Sequence, residues 1–342
     1  STFDKVGGVQ TFNKFFYEAL KENKIQYTII SLHDKNSPCE YIRSCNSNYI
    51  KFLYLIFKFH KRNNIIIWQH VSLTIFIPIL KLLGMKSRNI ITVYGTEVWG
   101  KKLSFLKRIG FQLNDAYWCI SNFTANEIFS KFKIEKNKIN LLPCCLKIPN
   151  KIINEKNPYQ NKMNILTILR LDKSGKLNAI FEILKAMEIL RKEFVDLHFT
   201  ILGEGNYKTQ ILKIIKKNKL QDKVSLLGFK KNTKPFLQHC DLFTLNSPLE
   251  GFGIVYLEAM LYKKACIASK GCGSEDVVLN NKTGYSIPLN DINQLVNVIR
   301  KILVNKQLSK KMGLNGYNHL IENFSFEKFK ENQMRLLKSY YK

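Results

Sequence analysis

A chain of 342 residues, 45% hydrophobic and 23% charged, is long enough for two domains with cores of their own and too apolar for a disordered polyelectrolyte. Its 54 Lys and Arg against 26 Asp and Glu leave a formal charge of +28, which points to anionic partners such as nucleic acid or an acidic membrane surface. The eight cysteines show no Cys-x-x-Cys spacing and no histidine at zinc distance, and the longest apolar run, 71–80, is too short to span a bilayer. These features point to a reducing, cytoplasmic setting without a metal site.

Gly7 and Gly8, followed by Phe12, Phe15, Phe16 and Leu20 at helical spacing, read as a glycine turn entering a helix. Such a turn ordinarily follows a buried strand, and none precedes Ser1. The first strand of an N-terminal domain over residues 1–147 is therefore expected to be missing or to lie upstream. Residues 25–31 and 65–68 are expected as strands, the second ending at Gln69 and His70. Between them, residues 49–62 are apolar nearly all round and basic toward the end. They read as a buried helix, with an interfacial helix on acidic lipid as the alternative. Residues 89–94 form a strand that leads into Gly95, Thr96 and Glu97. Residues 116–121 form another, with Ser121 or Asn122 placed to cap the helix that follows. A strand over 138–143 closes the first domain, and the polar stretch 148–160, with Pro149 and Pro158, reads as a linker.

A second domain over 161–323 restarts with a strand at 165–169, then Arg170 and Lys176 in a loop that enters a helix. A guanidinium and an ammonium at that spacing suit a diphosphate, the first by bidentate hydrogen bonds and the second as a point charge. A strand and glycine turn follow at 197–205, and another strand at 224–229 ends on Gly228 and Phe229. Residues 240–246 are a short buried strand and 252–262 a helix, with Glu250, Gly251, Phe252 and Gly253 between them. The two glycines let backbone N–H groups approach a ligand at a helix start, where the dipole favours negative charge. Glu258 follows Glu250 by eight residues, on the helix. A strand at 265–269, a glycine-rich turn at 270–276 and a last amphipathic helix over 324–342 complete the chain. Strands alternating with helices in both halves argue for an α/β protein of two doubly wound domains facing a cleft.

The run Ser247-Pro248-Leu249-Glu250-Gly251-Phe252-Gly253-Ile254-Val255-Tyr256-Leu257-Glu258-Ala259-Met260, with its Glu-x7-Glu spacing, resembles the signature of the retaining glycosyltransferases of family 4. The resemblance implies the GT-B fold, with two Rossmann-like domains and a C-terminal helix crossing back to the first. It implies transfer of a hexose from a nucleotide-diphosphate sugar, GDP-mannose or a UDP-hexose, to a glycan or lipid-linked acceptor. Anomeric configuration would be retained, and the setting would be surface polysaccharide or lipopolysaccharide biosynthesis. By the same resemblance, Glu250, Arg170 and Lys176 are the catalytic residues. Gly7 and Gly8 would face the donor phosphates, and Gly228 and Phe229 would lie under the base. Gly251, Phe252, Gly253 and Ile254 would frame the sugar and phosphate, and Glu258 would hold the ribose. Tyr94 stands where such proteins often carry His, so Tyr94, His70 and Glu97 mark the acceptor side. Residues 283–285 are matched to a closing hairpin. The sequence departs from the family pattern at Leu169 and Leu177, where glycines are usual, and at 144–147.

The chain has no Asp-x-Asp, so the expected activity needs neither metal nor cofactor. A nucleotide-sugar epimerase or another GT-B enzyme is the enzymatic alternative. A basic nucleic-acid-binding protein is the non-enzymatic one, but no zinc-finger, RNP or KH pattern accompanies the charge, and no nucleic-acid partner is expected. Compositional drift toward Lys, Asn and Ile is one reading of the charge, which is spread along the chain; if the charge has a function, peripheral contact with the inner face of the cytoplasmic membrane is the preferred one.

Overall fold

The computed structural model describes residues 7–35, 41–61, 64–100, 103–159, 162–172 and 177–340. The chain divides into two compact units, residues 1–145 with 326–342, and residues 146–325.

In the first unit, the helix Gly8–Glu22 starts directly after Gly7 and buries Phe12, Phe16, Ala19 and Leu20, the spacing of one helical face. Strands β1 (Ile29–Ser31) and β2 (Ile42–Ser44) pair in parallel as a two-stranded sheet. Strands β3 (Ile65–Trp68), β4 (Arg88–Val93), β5 (Ala116–Cys119) and β6 (Ile139–Leu141) form a second, parallel sheet in that order. All four residues of β5 are buried, as expected for an inner parallel strand covered on both faces. The last helix, Phe326–Lys338, packs on the first: the Phe12 and Phe329 rings meet edge to face at 5.5 Å, and Gln333 Nε2 donates to the Phe16 carbonyl at 3.0 Å.

Strand β2 carries no legible signal, because Ile42-Arg43-Ser44 is short and polar at its centre. The helix at 49–62 ends at Phe59 and is not buried all round: Phe52, Leu55 and Ile56 point inward, whereas Ile50, Tyr54 and Phe57 are exposed. The last helix, expected over 324–342, spans Phe326–Lys338, and a further helix, Lys306–Phe324, precedes it without having been expected from the sequence.

The second unit holds β7 (Met163–Ile168), β8 (Leu197–Leu202), β9 (Val224–Leu226), β10 (Leu242–Leu245), β11 (Cys266–Ser269) and β12 (Gly284–Ile287). They lie in the order β12-β11-β10-β7-β8-β9, and every pairing is parallel. Counted from β7, this is the doubly wound dinucleotide-binding order, and its topological switch point lies between β7 and β10. Residues 283–285 are therefore not a hairpin: β12 pairs in parallel with β11. Gly284 permits that approach, since a Cβ there would lie 1.9 Å from the Cys266 carbonyl oxygen. Residues 153–159 of the expected linker pack on the helix Lys234–His239, with the Tyr159 hydroxyl donating to the Phe236 carbonyl at 2.9 Å.

Candidate active site

The loops that leave the carboxyl ends of β7, β8 and β9 are tied to one another by backbone hydrogen bonds. The Leu169 N–H donates to the Leu202 carbonyl at 3.0 Å, Leu171 N–H to Glu204 at 2.9 Å, and Gly203 N–H to Gly228 at 2.9 Å. Gly203 is required by this closeness, because a Cβ there would stand 1.8 Å from the Leu169 carbonyl oxygen. Arg170 sits on this knot with its side chain 77% exposed and its Nε 3.7 Å from Asp172 Oδ2. Such a loose, hydrated ion pair leaves the guanidinium free to turn to a stronger anion. Lys176 lies outside the described residues. Gly228, at φ +72°, ends the neighbouring strand loop, and the Phe229 ring after it is exposed.

Across the switch point, the chain leaves β10 and makes the turn 246–253 before the helix Ile254–Leu261. Gly253 ends the turn at φ +90°, a left-handed conformation that side chains resist, and a Cβ there would lie 2.4 Å from the Tyr256 ring. The ring is fixed in turn by its hydroxyl, which donates to the Leu245 carbonyl at 2.5 Å, and burial holds its phenol far above the ordinary value. Gly251 and Phe252 are buried, and the Phe252 ring meets Phe324 edge to face at 5.2 Å. Glu250 is 8% exposed, and its carbonyl accepts from the Gly273 N–H at 2.9 Å, which ties the turn to the loop after β11.

Two carboxylates not singled out from the sequence brace this geometry. Glu182, buried on the helix Leu177–Leu190, accepts from Asn246 Nδ2 and from the Asn290 N–H at 2.9 Å. Glu275 accepts from the Gly271 N–H at 2.7 Å and from Ser286 Oγ at 3.2 Å. No local pattern marks either residue, because their partners stand far along the chain or across a loop.

Glu258 lies on the helix one face on from the turn, half-buried. Burial alone raises its carboxyl to about 7, and no hydrogen-bond donor among the described residues offsets that cost. Glu258 stands in the second turn of the helix Ile254–Leu261, which follows the turn after β10.

The remaining sequence-derived candidates belong to the first unit. Gly7 is extended and precedes the helix Gly8–Glu22, with its carbonyl accepting from the Thr11 N–H at 2.9 Å. Tyr94 follows β4 and is buried; its hydroxyl lies 2.6 Å from Asn13 Oδ1 and 2.9 Å from the Gln69 side-chain oxygen. Gln69 Nε2 is otherwise unsatisfied, so the opposite amide orientation, with Nε2 donating to the phenol, completes both groups. Glu97 accepts the Tyr94 N–H at 2.6 Å, and burial raises its carboxyl while the backbone donors of the turn pull it down. His70 caps the short helix Val71–Ile75: Nδ1 accepts from the Ser72 N–H at 3.1 Å and lies 2.8 Å from Ser72 Oγ. The structure thus joins Tyr94 and Glu97 directly and draws in Gln69 beside His70. It makes Tyr94 a locked, neutral phenol rather than a proton carrier. Among the described residues no group of three or more His, Cys, Asp or Glu side chains is clustered to hold a metal.

The fold is α/β of the GT-B type, with parallel sheets consistent with two Rossmann-like units. Residues 150–319 match the family model of glycosyl transferases group 1, a span that lies wholly within the second unit. The chain is 24% identical over 255 residues to N-acetyl-alpha-D-glucosaminyl L-malate synthase of Bacillus anthracis, covering 72% of this chain and 67% of that protein. It is 28% identical over 190 residues to poly(ribitol-phosphate) alpha-N-acetylglucosaminyltransferase of Staphylococcus aureus, covering 55% of this chain and 38% of that one. Among solved structures, Anabaena HepE in complex with UDP and glucose superposes with a TM-score of 0.79 at 14% identity, over 99% of this chain and 98% of that one. The match to the Staphylococcus protein thus spans well under half of that relative's length.

Proposed function

We propose that the chain is a glycosyltransferase that moves a hexose or N-acetylhexosamine from a nucleoside diphosphate donor to a glycan or lipid-linked acceptor, with retention and without a metal ion. The observation that carries this reading is the turn 246–253 at the switch point of the second unit, where Glu250 and Glu258 flank Gly253 at a helix start. Transfer breaks the bond from the anomeric carbon to the diphosphate oxygen, which keeps the electron pair, while an acceptor hydroxyl oxygen bonds to the same face of that carbon and its proton passes to the departing diphosphate. Arg170 and Lys176 stabilise the charge that develops there, together with the turn's N–H groups, and their two positive charges stand in for a metal. Glu250 faces the donor sugar and supports its oxocarbenium-like character. Glu258 accepts from the ribose hydroxyls.

The names of two relatives, both describing α-linked N-acetylglucosaminyl products, support a UDP-linked donor and retention, because common UDP-hexoses are themselves α-linked at phosphate. The UDP held by the Anabaena structure supports the same base. The poly(ribitol-phosphate) in the second name suggests a polymeric acceptor.

The test is a thermal-shift and turnover screen with UDP-N-acetylglucosamine, UDP-glucose, UDP-galactose and GDP-mannose, each with and without chelator. A ligand that binds only the folded state stabilises it by mass action, so one donor should stand out, with release of its nucleoside diphosphate undiminished by chelator. Stabilisation lost on chelation removes the metal-free reading. A sugar altered while still attached to its nucleotide indicates an epimerase instead.

A further inference from the structure

We infer that Glu182 is a positioning residue for the proposed transfer: through Asn246 it sets the turn 246–253, and with it Glu250, against the helix that follows the Arg170 loop. The inference rests on reading this crevice as the donor site. Glu182 lies on the helix Leu177–Leu190, which starts directly after Lys176. Asn246 is the first residue beyond β10 and opens the turn. β7 leads into the Arg170 loop, and β7 and β10 are neighbours at the switch point. The helix and the turn are thus the two sides of the crevice in which this order of strands holds its ligand. Asn246 Nδ2 donates to Glu182 Oε2 across them, and the Asn290 N–H, in the loop after β12, donates to Oε1 at 2.9 Å. One carboxylate, with a donor on each oxygen, holds a helix and two loops together.

Filling space does not require a carboxylate here. Glu182 is 5% exposed and Asn246 0%, and Ile180 and Ile183, which flank Glu182 on its helix, are fully buried. Burial raises the Glu182 carboxyl, and the Asn290 N–H, the Asn246 amide and Lys185 pull it back. An apolar side chain of similar volume would escape that desolvation cost, and such replacements often leave a fold as stable or more so. It would not fix a direction, whereas an amide and a carboxylate meet only within narrow limits of distance and angle. The far end of the turn is tied to the loop after β11 by the Gly273 N–H on the Glu250 carbonyl. Asn246 ties the near end. With that end loose, Glu250 can shift relative to Arg170, and a misplacement of about 1 Å can cost about a hundredfold in rate. Donor affinity, which Arg170 supplies from the other side of the crevice, should change little.

The test pairs turnover of the full chain, with whichever of the four donors stabilises it, with amide hydrogen exchange of residues 246–253 in the absence of donor. Glu182→Met removes both acceptor oxygens, and Asn246→Ala removes the linking amide. Each should lower kcat about 10- to 100-fold while donor KM and Kd for UDP stay within about threefold. Each should also speed exchange in the turn and leave it slow in β7 and β8. Because each residue acts through the other, the double variant should lose little more than the worse single one. Glu182→Gln is the rescue. Asn246 Oδ1 has no partner among the described residues, so its amide can turn over to accept from the glutamine Nε2, while the glutamine oxygen keeps the Asn290 N–H. It should recover most of the kcat, and the slow exchange, that Glu182→Met loses. Should Glu182→Met not fold, Asn246→Ala carries the same test. Unchanged kcat in the broken pair, losses that multiply in the double variant, or equal loss in Glu182→Gln and Glu182→Met overturns the inference. Exchange needs no turnover, so the two readings fail separately. A turn loosened in Glu182→Met and restored in Glu182→Gln, in a chain that consumes no donor, keeps the positioning and removes the transfer. Exchange that none of the variants alters removes the positioning.

Discussion

Glu258 gives the sharpest test of the nucleotide site, because its environment fixes both a sign and a size. Its carboxyl stands at about 7 in the folded chain, raised by burial, against an ordinary value near 4.5. A carboxyl raised on folding keeps its proton in the folded state after the unfolded chain has lost its own, so stability falls as pH rises from about 4.5 to about 7. The full difference, about 2.5 units at 1.36 kcal/mol each, is on the order of 3 kcal/mol. Glu258→Gln removes that cost, so urea unfolding should find the variant more stable than the wild type above pH 7, by up to this amount, and the two alike near pH 4.5.

Ribose hydroxyls can donate only to the ionised form, so the same group makes UDP binding improve with pH. Between about pH 6 and pH 8 the ionised fraction rises roughly tenfold, and Kd for UDP should fall by about the same factor. The terminal phosphate of UDP also titrates near pH 6, and the difference between wild type and Glu258→Gln in calorimetric titrations cancels it. A pH slope that is the same in both proteins would refute the assignment of Glu258 to the ribose, whatever the absolute affinities.

Other consequences follow from the geometry. Glu250→Gln should lower kcat by about a hundredfold with little change in thermal stability, as loss of one electrostatic contact to the transition state does; full activity would take Glu250 out of the chemistry. Arg170→Ala, whose side chain is exposed and only loosely paired, should leave Tm unchanged and weaken UDP binding about 10- to 100-fold, seen by calorimetry. Gly253→Ala forces a Cβ into the left-handed region and against the Tyr256 ring, and should cost about 2 kcal/mol or more in urea unfolding as well as activity. Tyr94→Phe removes the hydroxyl held by Asn13 and Gln69 and should destabilise the chain by about 1–3 kcal/mol.

Much of this protein is determined locally and can be read along the chain. Apolar runs bounded by glycine and polar turns give the parallel strands of the second unit, because strands buried on both faces need continuous hydrophobicity. The turn from Glu250 to Gly253 is equally legible, since only glycine accepts φ +90° where a Cβ would strike Tyr256. Strand β2 was not legible: three residues with an arginine at the centre become a strand only because β1 lies alongside. The parallel pairing of β12 was likewise invisible, for a strand's partner is chosen in three dimensions and its own sequence reads the same in a hairpin.

Composition gives the net charge and the apolar content of the helix at 49–59, but cannot say which of its residues meet the core. That was decided when Phe52 and Phe76 packed together, leaving Ile50 and Tyr54 outside. The raised carboxyl of Glu258 has the same origin. Its position eight residues after Glu250 is written in the sequence, whereas its burial without a partner belongs to the tertiary structure alone, because desolvation depends on everything folded around a group and not on its neighbours in the chain.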